Sequence, residues 1–122
     1  MNFTRLVLAG ALMLTLPALA HEVAKGPNGG RVAEAGDYHV EAVAKGPVMD
    51  VFLTDAADKP IAATGFKGLA ILAVTGKSVR ITLQSADATR LSGTAAIDLP
   101  HECKGVVQIT APGGRTAQAK FN

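Results

Sequence analysis

Beyond residue 20, no window longer than about eight residues carries a helical apolar period, and turn-forming clusters recur at spacings of roughly 8–12 residues. A chain so punctuated cannot bury a long amphipathic helix, so it must build its core from short strands. Tyr38, Val40, Ala42 and Ala44 alternate with His39, Glu41 and Val43 after an expected strand start at Asp37, and Lys45-Gly46-Pro47 turns the chain. Val48 to Thr54 returns with Met49, Val51 and Leu53 inward, Met49 as core, although Phe52 breaks the alternation. Leu69 to Val74 is apolar at every position, which predicts the most buried strand, and Gly76-Lys77 signals a tight hairpin. Val79, Ile81 and Leu83 then alternate with polar neighbours. Thr89 to Leu99 reads as two short strands broken at Ser92-Gly93, and a last hairpin turns at Pro112-Gly113-Gly114. Seven to nine such strands predict an all-β fold, a small antiparallel immunoglobulin-like β-sandwich.

The first twenty residues follow different rules. Arg5 and the initiator amine precede an apolar run from Leu6 to Leu16, then Pro17 and Ala18-Leu19-Ala20, an A-x-A cleavage pattern. The run is too short for a permanent membrane helix, which needs roughly 20 residues. The expected organisation is a signal peptide at 1–20, an extended arm at 21–29 and one β-domain at 30–122. The signal peptide exports the chain, to the periplasm on this reading, and its cleavage after Ala20 leaves no membrane span. It also makes His21 the first residue of the mature protein.

Without Arg5 the acidic and basic residues nearly balance, and the cations are spaced singly from Lys25 to Lys120. A nucleic-acid partner would want a basic patch with aromatic platforms, and neither is visible. The mature chain has only Tyr38, Phe52, Phe66 and Phe121 as aromatics, so Val, Ile, Leu and Ala must fill the core. Nucleophile elbows, zinc-protease helices, phosphate loops and CxxC pairs are lacking, and the chain reads as no enzyme.

Candidate ligands for a copper- or zinc-class ion are few. His101 and Cys103 come first: a His-x-Cys spacing puts both on one side of an extended segment about 6.5 Å apart, and imidazole with thiolate suits either metal. The lone Cys103 is otherwise a buried inert thiol or a dimer-forming one. His21 is third, because an amino-terminal histidine chelates through its α-amine and imidazole together, with affinity rising with pH. His39 is in reserve, with Glu41 two residues on as a carboxylate that can orient its ring; the plainer reading is a solvent-facing polar pair.

Gly26-Pro27-Asn28-Gly29-Gly30-Arg31-Val32, then Tyr38-His39-Val40-Glu41, then Val51-Phe52-Leu53-Thr54-Asp55 before Lys59-Pro60, resembles the N-terminal β-domain of periplasmic adaptor subunits of heavy-metal (cobalt–zinc–cadmium type) efflux pumps. It is also similar to related small free-standing exported proteins. The resemblance, over roughly residues 26 to 121, implies a β-sandwich, a periplasmic location and transition-metal handling, with an envelope or efflux-system protein as candidate partner. Asn28 stands where that family often carries a histidine, and the adaptor's helical hairpin and lipoyl-like halves are missing. The expectation is therefore a satellite module that carries metal, or alternatively a non-catalytic envelope interaction module that binds none.

Overall fold

The computed structural model describes residues 23–122; the expected signal peptide and His21 lie outside the described residues. No helix occurs among the described residues, and none there is long and apolar enough to cross a membrane. Nine strands form in chain order: β1 (Ala24–Lys25), β2 (Arg31–Ala35), β3 (Tyr38–Lys45), β4 (Val48–Thr54), β5 (Lys67–Val74), β6 (Lys77–Asp87), β7 (Arg90–Thr94), β8 (Lys104–Thr110) and β9 (Thr116–Phe121). All join one antiparallel sheet in the order β1-β2-β3-β4-β7-β6-β5-β8-β9.

The order β8-β5-β6-β7 is a Greek key, in which three hairpin-linked strands are followed by a fourth returning beside the first. Its long return is the stretch 95–103. The sheet curls until β2 lies against β9, producing a β-sandwich-like domain around one core. Alanines make this closure possible: Ala33 and Ala35 on β2 and Ala119 on β9 are buried, and Ala117 is half-buried. Arg31 fastens the closure, donating to the carbonyls of Cys103 (2.7 Å) and Asn122 (2.6 Å).

Met49, Leu72, Ile81, Leu83, Leu91, Ile109, Val40, Val51 and Val107 are the largest fully buried side chains. The alternation of β3, β4 and β6 places Val40, Met49, Val51, Ile81 and Leu83 there, as the sequence predicts, and Leu72, Leu91, Val107 and Ile109 join them from β5, β7 and β8. Two local expectations change. Leu69–Val74 is buried on one face only: Ala70, Leu72 and Val74 point inward, whereas Ile71 is 38% exposed and Ala73 is exposed. Among the described residues nothing covers the second face of β5, so an all-apolar run has become an ordinary two-faced strand. Ser92-Gly93 does not break the chain either, because β7 runs through both. A Cβ on Gly93 would strike the Thr82 carbonyl of β6. This glycine serves close backbone approach within the sheet, not a turn.

Candidate functional site: an outer-face cleft around His39

Residues of a strand that differ by two share a face, and antiparallel partners face the same way. The β2–β3 hairpin has Ala35 opposite Tyr38, so Gly36-Asp37 is its two-residue loop and Glu34 falls opposite His39. β4 sets Thr54 opposite His39 and Phe52 opposite Glu41. Val32, Glu34, His39, Glu41, Phe52 and Thr54 therefore tile the outer face of the sheet. They floor a cleft of about 630 Å³, walled by the arm at Ala24–Pro27 and by Asp58. That volume lies within the usual range for small-ligand sites, roughly 300–1,000 Å³. Phe52 interrupts the alternation of its strand because it is half-buried beneath this cleft rather than in the core.

Glu41 builds the arm wall. Its carboxylate, 4% exposed, accepts from the backbone N–H of Asn28 (2.9 Å), the Asn28 side-chain amide (2.8 Å) and the N–H of Gly30 (2.9 Å). A buried carboxylate is tolerable only when so satisfied. The neighbouring glycines leave room for it. A Cβ on Gly26 would overlap the Glu41 carboxyl, and one on Gly30 would strike the Ala42 carbonyl and the Val43 side chain. The Gly26–Gly30 run and Glu41 are thus one clamp, which also covers Val43 on the outer face. Glu41 is spent on the arm, so it is neither a partner of His39 nor solvent-facing.

Another carboxylate holds His39. Its Nδ1 lies 2.8 Å from Asp58 Oδ1, and its Nε2 lies 3.8 Å from Glu34 Oε1. The ring is about one-quarter exposed, whereas both carboxylates are mostly exposed. Asp58 reaches the ring from a tight loop after β4. Asp55 Oδ1 accepts from the N–H groups of Ala57 (2.8 Å) and Lys59 (3.0 Å), and the Asp58 N–H donates to the Asp55 carbonyl (3.0 Å). This closure puts Asp58 at φ 61°, a left-handed conformation that aspartate tolerates better than most side chains. With Nδ1 engaged by Asp58, Nε2 is the nitrogen available to the cleft.

The other expected ligands sit elsewhere. Cys103 is buried at 5% exposure, and its thiol donates to the Pro100 carbonyl (3.1 Å). Burial pushes that thiol above its ordinary pKa, and the nearby Arg31 charge offsets this only in part. His101 is exposed at the same turn, and both residues border a small void beside Arg31, Met49 and Phe121. Among the described residues, no group of three or more His, Cys, Asp and Glu side chains is arranged to hold a metal.

Glu34 and Asp58 escaped sequence reasoning. Glu34 was accessible to it: reading Gly36-Asp37 as a two-residue hairpin loop fixes Glu34 opposite His39. Asp58 carried no comparable signal, since its approach depends on the backbone of the 55–59 loop. Comparisons with protein-family models, with curated proteins and with solved structures gave no match.

Proposed function

We propose that this protein is a small, non-catalytic periplasmic accessory that binds a transition ion of the copper or zinc class at the outer-face cleft, in the service of heavy-metal efflux or homeostasis. The carrying observation is His39, with Nδ1 on Asp58 and Nε2 beside Glu34. Metal-binding histidines commonly engage a carboxylate through the second ring nitrogen, which fixes the tautomer and raises the basicity of the ligating one. Two donors at about 2.0–2.1 Å from a tetrahedral zinc lie about 3.3 Å apart; Nε2 and Glu34 Oε1 are 3.8 Å apart. A small rotation of the exposed Glu34 side chain closes the difference. The link to efflux rests on the resemblance to pump-adaptor domains.

His101 and Cys103 take second place within this reading. Only the thiolate of cysteine is a good ligand, and burial together with the Pro100 hydrogen bond favours the thiol of Cys103. The test is calorimetric titration of Zn(II) and Cu(II) into the chain 21–122. His39→Gln is expected to weaken binding at least about tenfold, the lower end for disturbing a metal site. The double variant His101→Ala/Cys103→Ala is expected to change it less than about threefold. The reverse ranking would overturn the assignment to the cleft.

The alternative reading, a docking module that binds no metal, is favoured by the outward apolar stripe of β5 and β8. Ile71 stands opposite Val106 there, with Leu69 and Ala73 on the same face. It predicts that Ile71→Lys, but not His39→Gln, abolishes co-purification with an envelope protein.

A further inference from the structure

Cations that stand singly in the sequence are gathered by strand register onto one outer face. Antiparallel partners share a face, so one row crosses four strands: Arg80 of β6, Ile71 of β5, Val106 of β8 and Lys120 of β9. Three strand spacings of about 4.8 Å put the two cations about 14 Å apart, on either side of the aliphatic pair. Lys104 faces Ala73 in the next row, and in the other direction Leu69 and then Lys67 continue the outward side of β5. All four cations are exposed, and Ile71 is half-exposed among them. Among the described residues no carboxylate falls in these rows. Glu102 precedes β8, and Asp87, at the far end of β6, lies 3.8 Å from Arg90. Among the described residues, none of Lys67, Arg80, Lys104 and Lys120 is in an ion pair. With β2 closed against β9, β3 and β5 are four strands apart in either direction around the sheet. The cation-bearing face therefore looks away from His39 and from the carboxylates Glu34 and Asp58.

We propose that this face rests on an anionic phospholipid surface, with Ile71 as a shallow apolar contact and the His39 cleft turned to solvent. Charge complementarity carries the choice. Each cation near a negative lipid surface strengthens binding about fivefold, and here four stand together without a compensating carboxylate. Long Lys and Arg side chains hold their charge at headgroup level while their stems cover apolar neighbours. A protruding aliphatic side chain adds buried apolar area. Among the described residues, neither the cleft nor the small void beside Cys103 includes a residue of these rows. A pleated surface without such a recess suits a lipid plane, whereas the anchoring side chains of a protein partner seat in pockets. The proposal is independent of metal binding, and it gives the outward stripe of β5 and β8 a lipid surface in place of an envelope protein.

The experiment is co-sedimentation of the chain 21–122, which contains every described strand, with phospholipid vesicles. One set mixes phosphatidylglycerol with phosphatidylcholine and the other is phosphatidylcholine alone; circular dichroism confirms the β fold of each variant. The wild type is expected to bind only the anionic vesicles, and less as salt rises. Lys104→Gln/Lys120→Gln is expected to lose about 25-fold in partitioning, about fivefold for each charge. Lys45→Gln/Lys59→Gln removes the same net charge from exposed positions off this face. It is expected to lose less than about threefold, because salt screens charges held away from the lipid. Ile71→Ser is expected to lose at least about fourfold, the effect of one methylene withdrawn from lipid. His39→Gln should bind vesicles as the wild type does, which keeps this outcome separate from that of the cleft reading. Equal losses in the two lysine pairs would reduce the attraction to net charge and overturn the proposal, as would equal binding to both vesicles or to neither. Binding to soluble poly-glutamate without binding to anionic vesicles would also overturn it and assign the face to an acidic protein.

Discussion

The cleft around His39 and the turn holding His101 and Cys103 contain the same kinds of side chain put to opposite uses. At the turn, two residues with soft and borderline donors stand two apart in sequence, yet folding separates them: the thiol enters the core and the imidazole stays in solvent. At the cleft, Glu41, two residues on from His39, is engaged by the arm, and strand pairing instead brings Glu34 opposite while a loop 19 residues on brings Asp58 to the ring. Sequence proximity is a poor guide to a site in an antiparallel sheet, where a residue's nearest polar partners come from across the ladder.

The largest expected effect that sharpens this contrast is Glu41→Ala. It leaves the N–H groups of Asn28 and Gly30 without their acceptor and empties a buried carboxyl site, at a cost of roughly 2–4 kcal/mol in urea-unfolding stability. The cleft wall should loosen with it, so metal affinity falls as well; unchanged stability would show that the arm is not clamped through Glu41. On the other side of the comparison, Cys103→Ala is expected to cost about 1–2 kcal/mol as a small core cavity, without altering metal binding.

Cys103 also carries a pH signature. Its folded pKa is raised by burial, so its contribution to stability is intact below the ordinary thiol value of 9.0 and is lost as pH climbs from there toward the folded value. Unfolding measured across that window should show a decline in the wild type beyond that of Cys103→Ala. Identical curves would argue for an accessible thiolate and restore the turn as a ligand site.

Asp58→Asn separates ligand orientation from backbone geometry, since asparagine also tolerates the left-handed conformation. It is expected to weaken Zn(II) binding about tenfold, near 1.4 kcal/mol, while stability moves little. Equal affinity in the variant would show that the Asp58 contact does not tune the imidazole. The smallest effect belongs to His101→Ala: stability within about 0.5 kcal/mol of wild type, as for an exposed surface side chain.

Much of the fold was legible because period-two alternation and turn residues are local signals. Val40, Met49, Val51, Ile81 and Leu83 are buried where their alternation puts them. Local signals fail where the partner decides. Leu69–Val74 carries no mark of the missing cover on one face, and Gly93 reads as a breaker until Thr82 of β6 is beside it. The candidate site was legible in part. His39 was visible as a donor and Glu41 as a carboxylate on its face, but which carboxylate holds the ring depends on register and on a left-handed residue in the 55–59 loop. The Gly26–Gly30 run likewise discloses its purpose only when Glu41 is found inside it.

Whether His39 rather than the His101–Cys103 turn receives the metal can be read by imidazole nitrogen-15 NMR during Zn(II) titration of the chain 21–122. His39 Nε2 is expected to shift to a metal-bound position while Nδ1 keeps its proton toward Asp58, with the His101 resonances unmoved. Zinc-dependent shifts at His101 with an unchanged His39 ring would contradict it.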